Sequence, residues 1–220
     1  MTDSEKPYIL RAVESVITQT ISCKIRIYVS LDNTWIYDII PSDKDIIIRR
    51  IELNPPGIIR NIGASESDTE WIAFLDGDDV WTKNKIKKQL RIAVKYRYDA
   101  IATDHLMIDE HDSVIACGLG GKNIPMTSSW LVKRKLVTSN PFSAKMTGED
   151  SEWWTQAKKI ARLNRLASFQ TKYRLKSISL STETSSKKRK MLLLKYSNIF
   201  GLKPIIIVST WFANKIYRWM

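Results

Sequence analysis

The chain has 220 residues, 44% of them hydrophobic, and a formal net charge of +12. That length and apolar content fit one globular domain with at most a tail, and exclude a disordered chain. Two cysteines, Cys23 and Cys117, show neither metal-ligand spacing nor the density of a disulfide scaffold, so a reducing compartment is the default. The opening MTDSEKPYIL has no basic-then-apolar pattern, so no secretory signal is expected. No run of about 18 apolar residues predicts a membrane-spanning helix.

Pro7 to Gln19 reads as a helix, with Ile9, Val13, Val16 and Ile17 on one face and Pro7 in its first turn. Ile25, Ile27, Val29 and Leu31 alternate with polar or aromatic residues, which predicts a strand ended by Asp32-Asn33-Thr34. Ile46 to Leu53 is a second β-rich run, broken by Asn54-Pro55-Pro56-Gly57. Ile58 to Ser67 predicts a short helix. Trp71 to Leu75 is apolar without alternation, the pattern of a strand buried on both faces. Lys83 to Tyr98 is helical, with Ile86, Leu90, Ala93 and Val94 inward and Lys83, Lys85, Lys87 and Lys88 on a solvated face. Ala100 to Ile108 predicts a strand and Val114 to Cys117 a weaker one. Strands and helices that alternate at this spacing predict an α/β fold with parallel strands.

Charge is unevenly placed. After Glu152 there are fifteen Lys or Arg residues and one acid, a balance of +14, so the rest of the chain stands at −2. Lys187-Lys188-Arg189-Lys190 precedes two apolar segments broken at Gly201 and Pro204, where Trp211, Phe212, Tyr217 and Trp219 mix with Lys215 and Arg218. That composition suits helices lying in a membrane interface, or a helical pair packed on the domain.

The chemistry-bearing segment is Asp76-Gly77-Asp78-Asp79, directly after the apolar run. In open α/β sheets ligands bind beyond the carboxyl ends of the strands. Carboxylates crowded at such an edge repel each other unless a cation joins them, and oxygen ligands suit Mg²⁺ or Mn²⁺. The plain alternative is an acidic turn that caps the next helix. His105 and His111, with Asp104, Asp109 and Asp112, read as a polar strand end and turn, with a second metal site as the sharper alternative.

The segment EWIAFLDGDDVW resembles the Asp-x-Asp segment of family-2 glycosyltransferases. Four further segments resemble that family in order. Lys6 to Leu10 through Glu14 to Thr20 resembles its first helix, which typically ends Ser-Val-x-x-Gln-Thr. Arg60-Asn61-Ile62-Gly63 matches its Arg-Asn-x-Gly turn. Gly148-Glu149-Asp150, followed by Trp153-Trp154, matches its acceptor-site motif. Tyr173-Arg174-Leu175-Lys176 with Ser179 and Ser181 matches its Tyr-Arg-x-His-x-x-Ser-x-Ser segment.

The resemblance implies a GT-A, Rossmann-like α/β fold, a mixed and mostly parallel sheet flanked by helices, over residues 1–183. A basic helical tail, 184–220, follows. It implies an inverting enzyme that moves a sugar from a nucleotide-sugar donor to a glycan or lipid-linked acceptor. Envelope polysaccharide such as lipopolysaccharide or capsule is the expected product, made in the cytoplasm with peripheral membrane contact through the tail. Carried over by residue, Asp150 is the catalytic base. Asp78, with Asp76, holds Mg²⁺ or Mn²⁺. Asp32, Arg60, Asp76, Asp78 and Lys176 bind the donor, and Glu149, Trp153 and Trp154 face the acceptor.

Three departures stand out. The family's first apolar strand has no counterpart in the polar residues 1–5. One acid, Asp32, remains where the family has Asp-Asp-Gly-Ser. Lys176 stands where the family has His, and an ammonium can bind a diphosphate but cannot ligate a metal. An inactive remnant of such an enzyme, and a basic nucleic-acid-binding protein, are the alternatives. The second lacks a recognition motif, so no nucleic acid is expected.

Overall fold

The computed structural model describes residues 3–52, 54–118 and 124–176. Helix α1 (Ile9–Ile17) leads into strand β1 (Ile25–Ser30), short helix α2 (Ile36–Ile39) and strand β2 (Ile46–Ile51). Then come α3 (Pro56–Glu66), β3 (Trp71–Ala73), β4 (Val80–Trp81), α4 (Lys85–Tyr96), β5 (Ala100–Ile108) and β6 (Val114–Gly118). After a 3-10 turn at Thr127–Ser129, the chain forms β7 (Leu131–Lys133), α5 (Arg134–Ser139), α6 (Glu149–Ile160) and β8 (Leu163–Arg174). The mixed α/β, GT-A-like fold expected from the sequence is present. The expected tail, with Ser179 and Ser181, lies outside the described residues.

The strands make two sheets. β1 and β2 pair in parallel, Ile25 opposite Ile46. The other sheet has the order β3-β7-β5-β8-β4, with β6 also paired to β5. Parallel pairing is confined to β1 with β2 and β5 with β8; the other pairs are antiparallel. The sheet is therefore less parallel than the alternation of elements predicts, because short strands fold back on its edges. β8 pairs along the whole of β5, so β7 and β6 divide the opposite edge of β5 between them. The β5–β8 register shifts around Asp104, where Phe169 and then Thr171 follow Leu166 as partners. Such extra residues bend a strand. Past the bend, Thr171 and Lys172 also pair with Trp81 and Val80, which carries the end of β8 alongside the acidic loop.

Side chains alternate across a strand. Ala100, Ala102 and Val132 accordingly join one core cluster with Ala64, Val137, Trp153 and Trp154 from α3, α5 and α6. Leu131 joins another with Val16, Trp81 and Ile86. Helices thus cover both faces, and every residue of β5 is buried.

Several sequence readings are corrected. β3 is half-buried along its length rather than buried on both faces, since β7 is its one hydrogen-bonded neighbour among the described strands. Val94 is 63% exposed. Gln89 takes the inward position in that helix, donating to Ile101 O at 2.7 Å and Ser129 O at 2.8 Å. Lys85 is buried rather than solvated. Its ammonium lies 4.1 Å from the Trp81 ring and 3.3 Å from Trp130 O. Burial pushes its pKa well below the usual lysine range.

Candidate active site

Contacts link described residues of all five sequence motifs to the acidic loop or its neighbours, and most of these residues act by holding others. Ser15 and Gln19, near the end of α1, fasten β4 and the start of α4. Ser15 Oγ accepts from Trp81 N at 3.1 Å, and Gln19 both donates to Thr82 O at 2.8 Å and accepts from Ile86 N at 3.1 Å. In α3, Asn61 makes a two-way clasp with the backbone of Phe142, each bond 2.9 Å. Gly63 leaves space that the Tyr28 ring fills, since a Cβ there would lie 3.3 Å from it.

Arg60, one turn into α3, occupies the centre. Its guanidinium donates to Glu149 at 2.6 Å and to Asp76 at 3.4 Å, with the Arg60 side chain only 13% exposed. Burial opposes its charge, but Asp76 and then Glu149 outweigh that, and the Arg60 pKa is raised. One side chain therefore ties the acidic loop after β3 to the first turn of α6, where Asp150 sits. A second tie runs through the 3-10 turn. Asp76 N donates to Ser128 Oγ at 3.1 Å, and Thr127 Oγ donates to Asp150 Oδ2 at 3.3 Å. Gly148 enters α6 with φ 80, a left-handed conformation that suits glycine and sets the direction of Glu149 and Asp150.

The three acids of the loop have different surroundings. Asp76 is 46% exposed. Asp78 is 14% exposed, with its Oδ2 2.6 Å from the Lys176 ammonium. Burial raises the Asp78 pKa, the bond to Lys176 opposes that, and the Asp76 charge adds to the rise. Asp79 is fully buried and accepts from Arg174 N at 3.0 Å. Burial, then the charges of Asp78 and Asp76, push its carboxyl well above the usual range. Arg174 is itself buried. It donates to Asp78 O at 3.0 Å and Asp109 O at 2.7 Å, pairs with Asp112, and lies 4.3 Å from the Tyr8 ring. Glu5 reaches the same loop, accepting from Gly77 N at 3.2 Å.

The expected site residues divide accordingly. Arg60, Asp76, Asp78, Glu149, Asp150 and Lys176 come together. Asp32 is exposed in the turn after β1, and no described contact joins it to the loop. Trp153 and Trp154 are each 2% exposed and pack on Trp130, Trp153 stacked at a centroid distance of 5.4 Å and Trp154 tilted at 4.7 Å. Such pairs add ~0.5–1.5 kcal/mol to a core, so these tryptophans serve packing rather than an acceptor face. Glu149 is 5% exposed and directed to Arg60, which corrects its expected place at the acceptor. His105 is a buried strand residue whose pKa burial lowers to about 4. Thr127, Ser128 and Glu5 were not legible as site residues, because single hydroxyls in a short turn and one acid in a polar N-terminal run carry no pattern.

A divalent ion was expected at Asp76 and Asp78. Among the described residues, no three His, Cys, Asp or Glu side chains gather as a metal site. Lys176 already holds one Asp78 oxygen, and both side chains are largely desolvated. Mg²⁺ demands a near-octahedral set of oxygens, and an ammonium on one of two available carboxylates works against it. Asp76 and the second Asp78 oxygen are the side-chain ligands left, so without a diphosphate to complete the set the described residues alone do not hold a resident divalent ion.

Solved structures share the fold. S. aureus TarS 1-349 in complex with UDP-GlcNAc aligns with a TM-score of 0.66 and 14% identity, over 92% of this chain and 65% of that one. The complex with UDP gives 0.62 and 16% identity, over 78% of this chain and 57% of that one. The chain therefore spans less than two thirds of the length of those proteins. No curated protein matches it in sequence. The family model described as glycosyl transferase family 2 matches residues 2–130. With that match over more than half its length, the chain belongs to glycosyltransferase family 2.

Proposed function

We propose that this chain transfers a sugar, with inversion, from a nucleotide-diphosphate donor to an acceptor hydroxyl. The observation that carries the reading is Arg60, which joins the acidic loop to the helix that bears Asp150. Direct displacement needs a donor loop and a base side by side, and the bonds from Arg60 to Asp76 and Glu149, next to Asp150, support that arrangement. Asp76 takes the ribose or diphosphate side. Lys176 lies beside the leaving diphosphate, and Arg60 reaches the donor through Asp76. Asp150 accepts the acceptor's proton as its oxygen attacks the anomeric carbon from the face opposite the diphosphate. The bond from that carbon to the phosphate oxygen breaks, and the nucleoside diphosphate leaves with the electron pair. The expected Mg²⁺ or Mn²⁺ has no step here, for the reason the Lys176–Asp78 pair supplies.

S. aureus TarS in complex with UDP and with UDP-GlcNAc supports a uridine-type donor as the first to try. A glycan or lipid-linked acceptor, an envelope product and cytoplasmic residence at a membrane surface complete the reading. They rest on the family and on the basic last third of the chain, with 1–183 as the catalytic domain and 184–220 as a surface-binding tail. No helix among the described residues is long and apolar enough to cross a membrane.

A panel of nucleotide-sugars, added to the purified full chain, tests this by thermal stabilisation. A ligand at 100 times its Kd adds about 2.7 kcal/mol, a readable rise in Tm. Stabilisation by one nucleotide-sugar, followed by nucleoside diphosphate release when acceptor is added, is the expected result. Folded protein that responds to none of them, yet binds DNA or RNA in a salt-dependent way, would overturn it.

A further inference from the structure

We propose that Lys176 serves as the built-in counter-cation for the donor diphosphate, so that this chain binds its donor without a divalent metal. The inference rests on the nucleotide-sugar reading above. Three observations place the charge. The Lys176 ammonium sits 2.6 Å from Asp78 Oδ2, with side chains 11% and 14% exposed. A pair so desolvated resists being broken, because removing one partner strands a charge in low dielectric. An incoming Mn²⁺ finds one Asp78 oxygen already taken and a positive charge 2.6 Å from it.

The second observation concerns the neighbouring cations. Arg174 is fixed by Asp112, Asp78 O and Asp109 O, and is fully buried. Arg60 is engaged by Glu149 and Asp76. Of these three cations, Lys176 pairs with a single carboxylate, Asp78, whereas Arg60 is shared between two and Arg174 holds a carboxylate and two carbonyls. The third is the anchoring of the lysine. Arg174, two residues before it, is locked, and Leu175 N donates to Ile108 O at 2.8 Å. The backbone is held while a flexible four-carbon stem carries the charge. Its three donors can bind phosphate oxygens while remaining beside Asp78.

The test uses the full chain and four probes, UDP, GDP, CDP and ADP, each titrated in EDTA and in MnCl₂. The best-bound diphosphate is expected to show the same Kd in both, within about twofold. Lys176→Ala is expected to weaken it about ten- to a hundredfold in EDTA, the range of a charge-assisted hydrogen bond. Lys176→Arg retains metal-free binding. Lys176→His loses it in EDTA and recovers with Mn²⁺, because imidazole can ligate the ion that the ammonium displaced. Circular dichroism confirms that each variant is folded, and the arginine and histidine variants carry the test if the alanine variant is not. Wild-type binding that disappears in EDTA and returns with Mn²⁺ overturns the proposal and leaves the donor reading intact. So does undiminished binding by folded Lys176→Ala in EDTA. A folded wild-type chain that binds none of the four in either condition overturns both.

Discussion

The proposed donor and base sides of the site hold their carboxylates differently. On the donor side each acid of the loop has a basic or backbone partner: Asp76 has Arg60, Asp78 has Lys176, and Asp79 has the backbone of Arg174. On the base side, Asp150 accepts one long hydroxyl bond from Thr127, at 3.3 Å, and a bond from its neighbour Ser151 N. The loop acids thus face cations or a buried backbone donor, and Asp150 faces a hydroxyl and the N–H of its own helix turn. The contrast gives each acid a different expected response to substitution.

The largest effect is expected at Asp150. Asp150→Asn should lower transfer about 10²- to 10⁴-fold, the usual range for a general base, while donor Kd stays within about twofold. Single-turnover kinetics beside calorimetric binding would read both. Equal losses in binding and turnover would erase the distinction between the two sides.

Arg60→Met comes next, because it severs the link between them. Glu149, 5% exposed, would be left buried without its cation, at a cost of ~3–5 kcal/mol. Denaturant titration should show that loss. The double variant Arg60→Met with Glu149→Leu should regain part of it, since both charges are then gone.

Acidification should sharpen the contrast through His105, whose ring packs edge-on against Tyr173, the residue before Arg174. Its folded pKa is lowered from 6.5 to about 4 by burial, with Arg165 adding to it. The unfolded chain therefore binds the proton first. Stability is unaffected above the ordinary value and declines as pH falls through the interval down to about 4, by up to ~3 kcal/mol. Urea unfolding at successive pH values should show that decline, and His105→Gln should flatten it.

The smallest effect belongs to Thr127→Val, which keeps shape and removes the hydroxyl on Asp150. A fall of about tenfold in kcat, with the donor KM unchanged, is expected from one lost hydrogen bond. A change confined to KM would move Thr127 to the donor side.

Much of this was visible in the residues alone. The alternation in Ile25 to Leu31 and the amphipathic spacing in Pro7 to Gln19 announce β1 and α1, since period follows from backbone geometry, although Ile17 and Leu31 end up exposed. Asp76 to Asp79 after an apolar run, and Gly148-Glu149-Asp150 at a helix start, marked the acids that Arg60 ties together in the fold. β4 and β7, of two and three residues, are too short to carry a period. β8 is a strand because β5 and β4 pair with it, rather than through any clean alternation of its own. Lys85, Trp153 and Trp154 look like surface or ligand-facing residues until their neighbours are known.

The order of residues by itself determined which charged, hydroxyl and aromatic groups this protein has, and which segments could become helix or strand, because those properties are local. Tertiary structure alone decided the partners: Arg60 with Glu149 at a separation of 89 residues, Lys176 on Asp78, Thr127 on Asp150. The physical reason is that the strength and role of a charge depend on burial and on what lies within a few ångströms, and neither is written in any single stretch of chain.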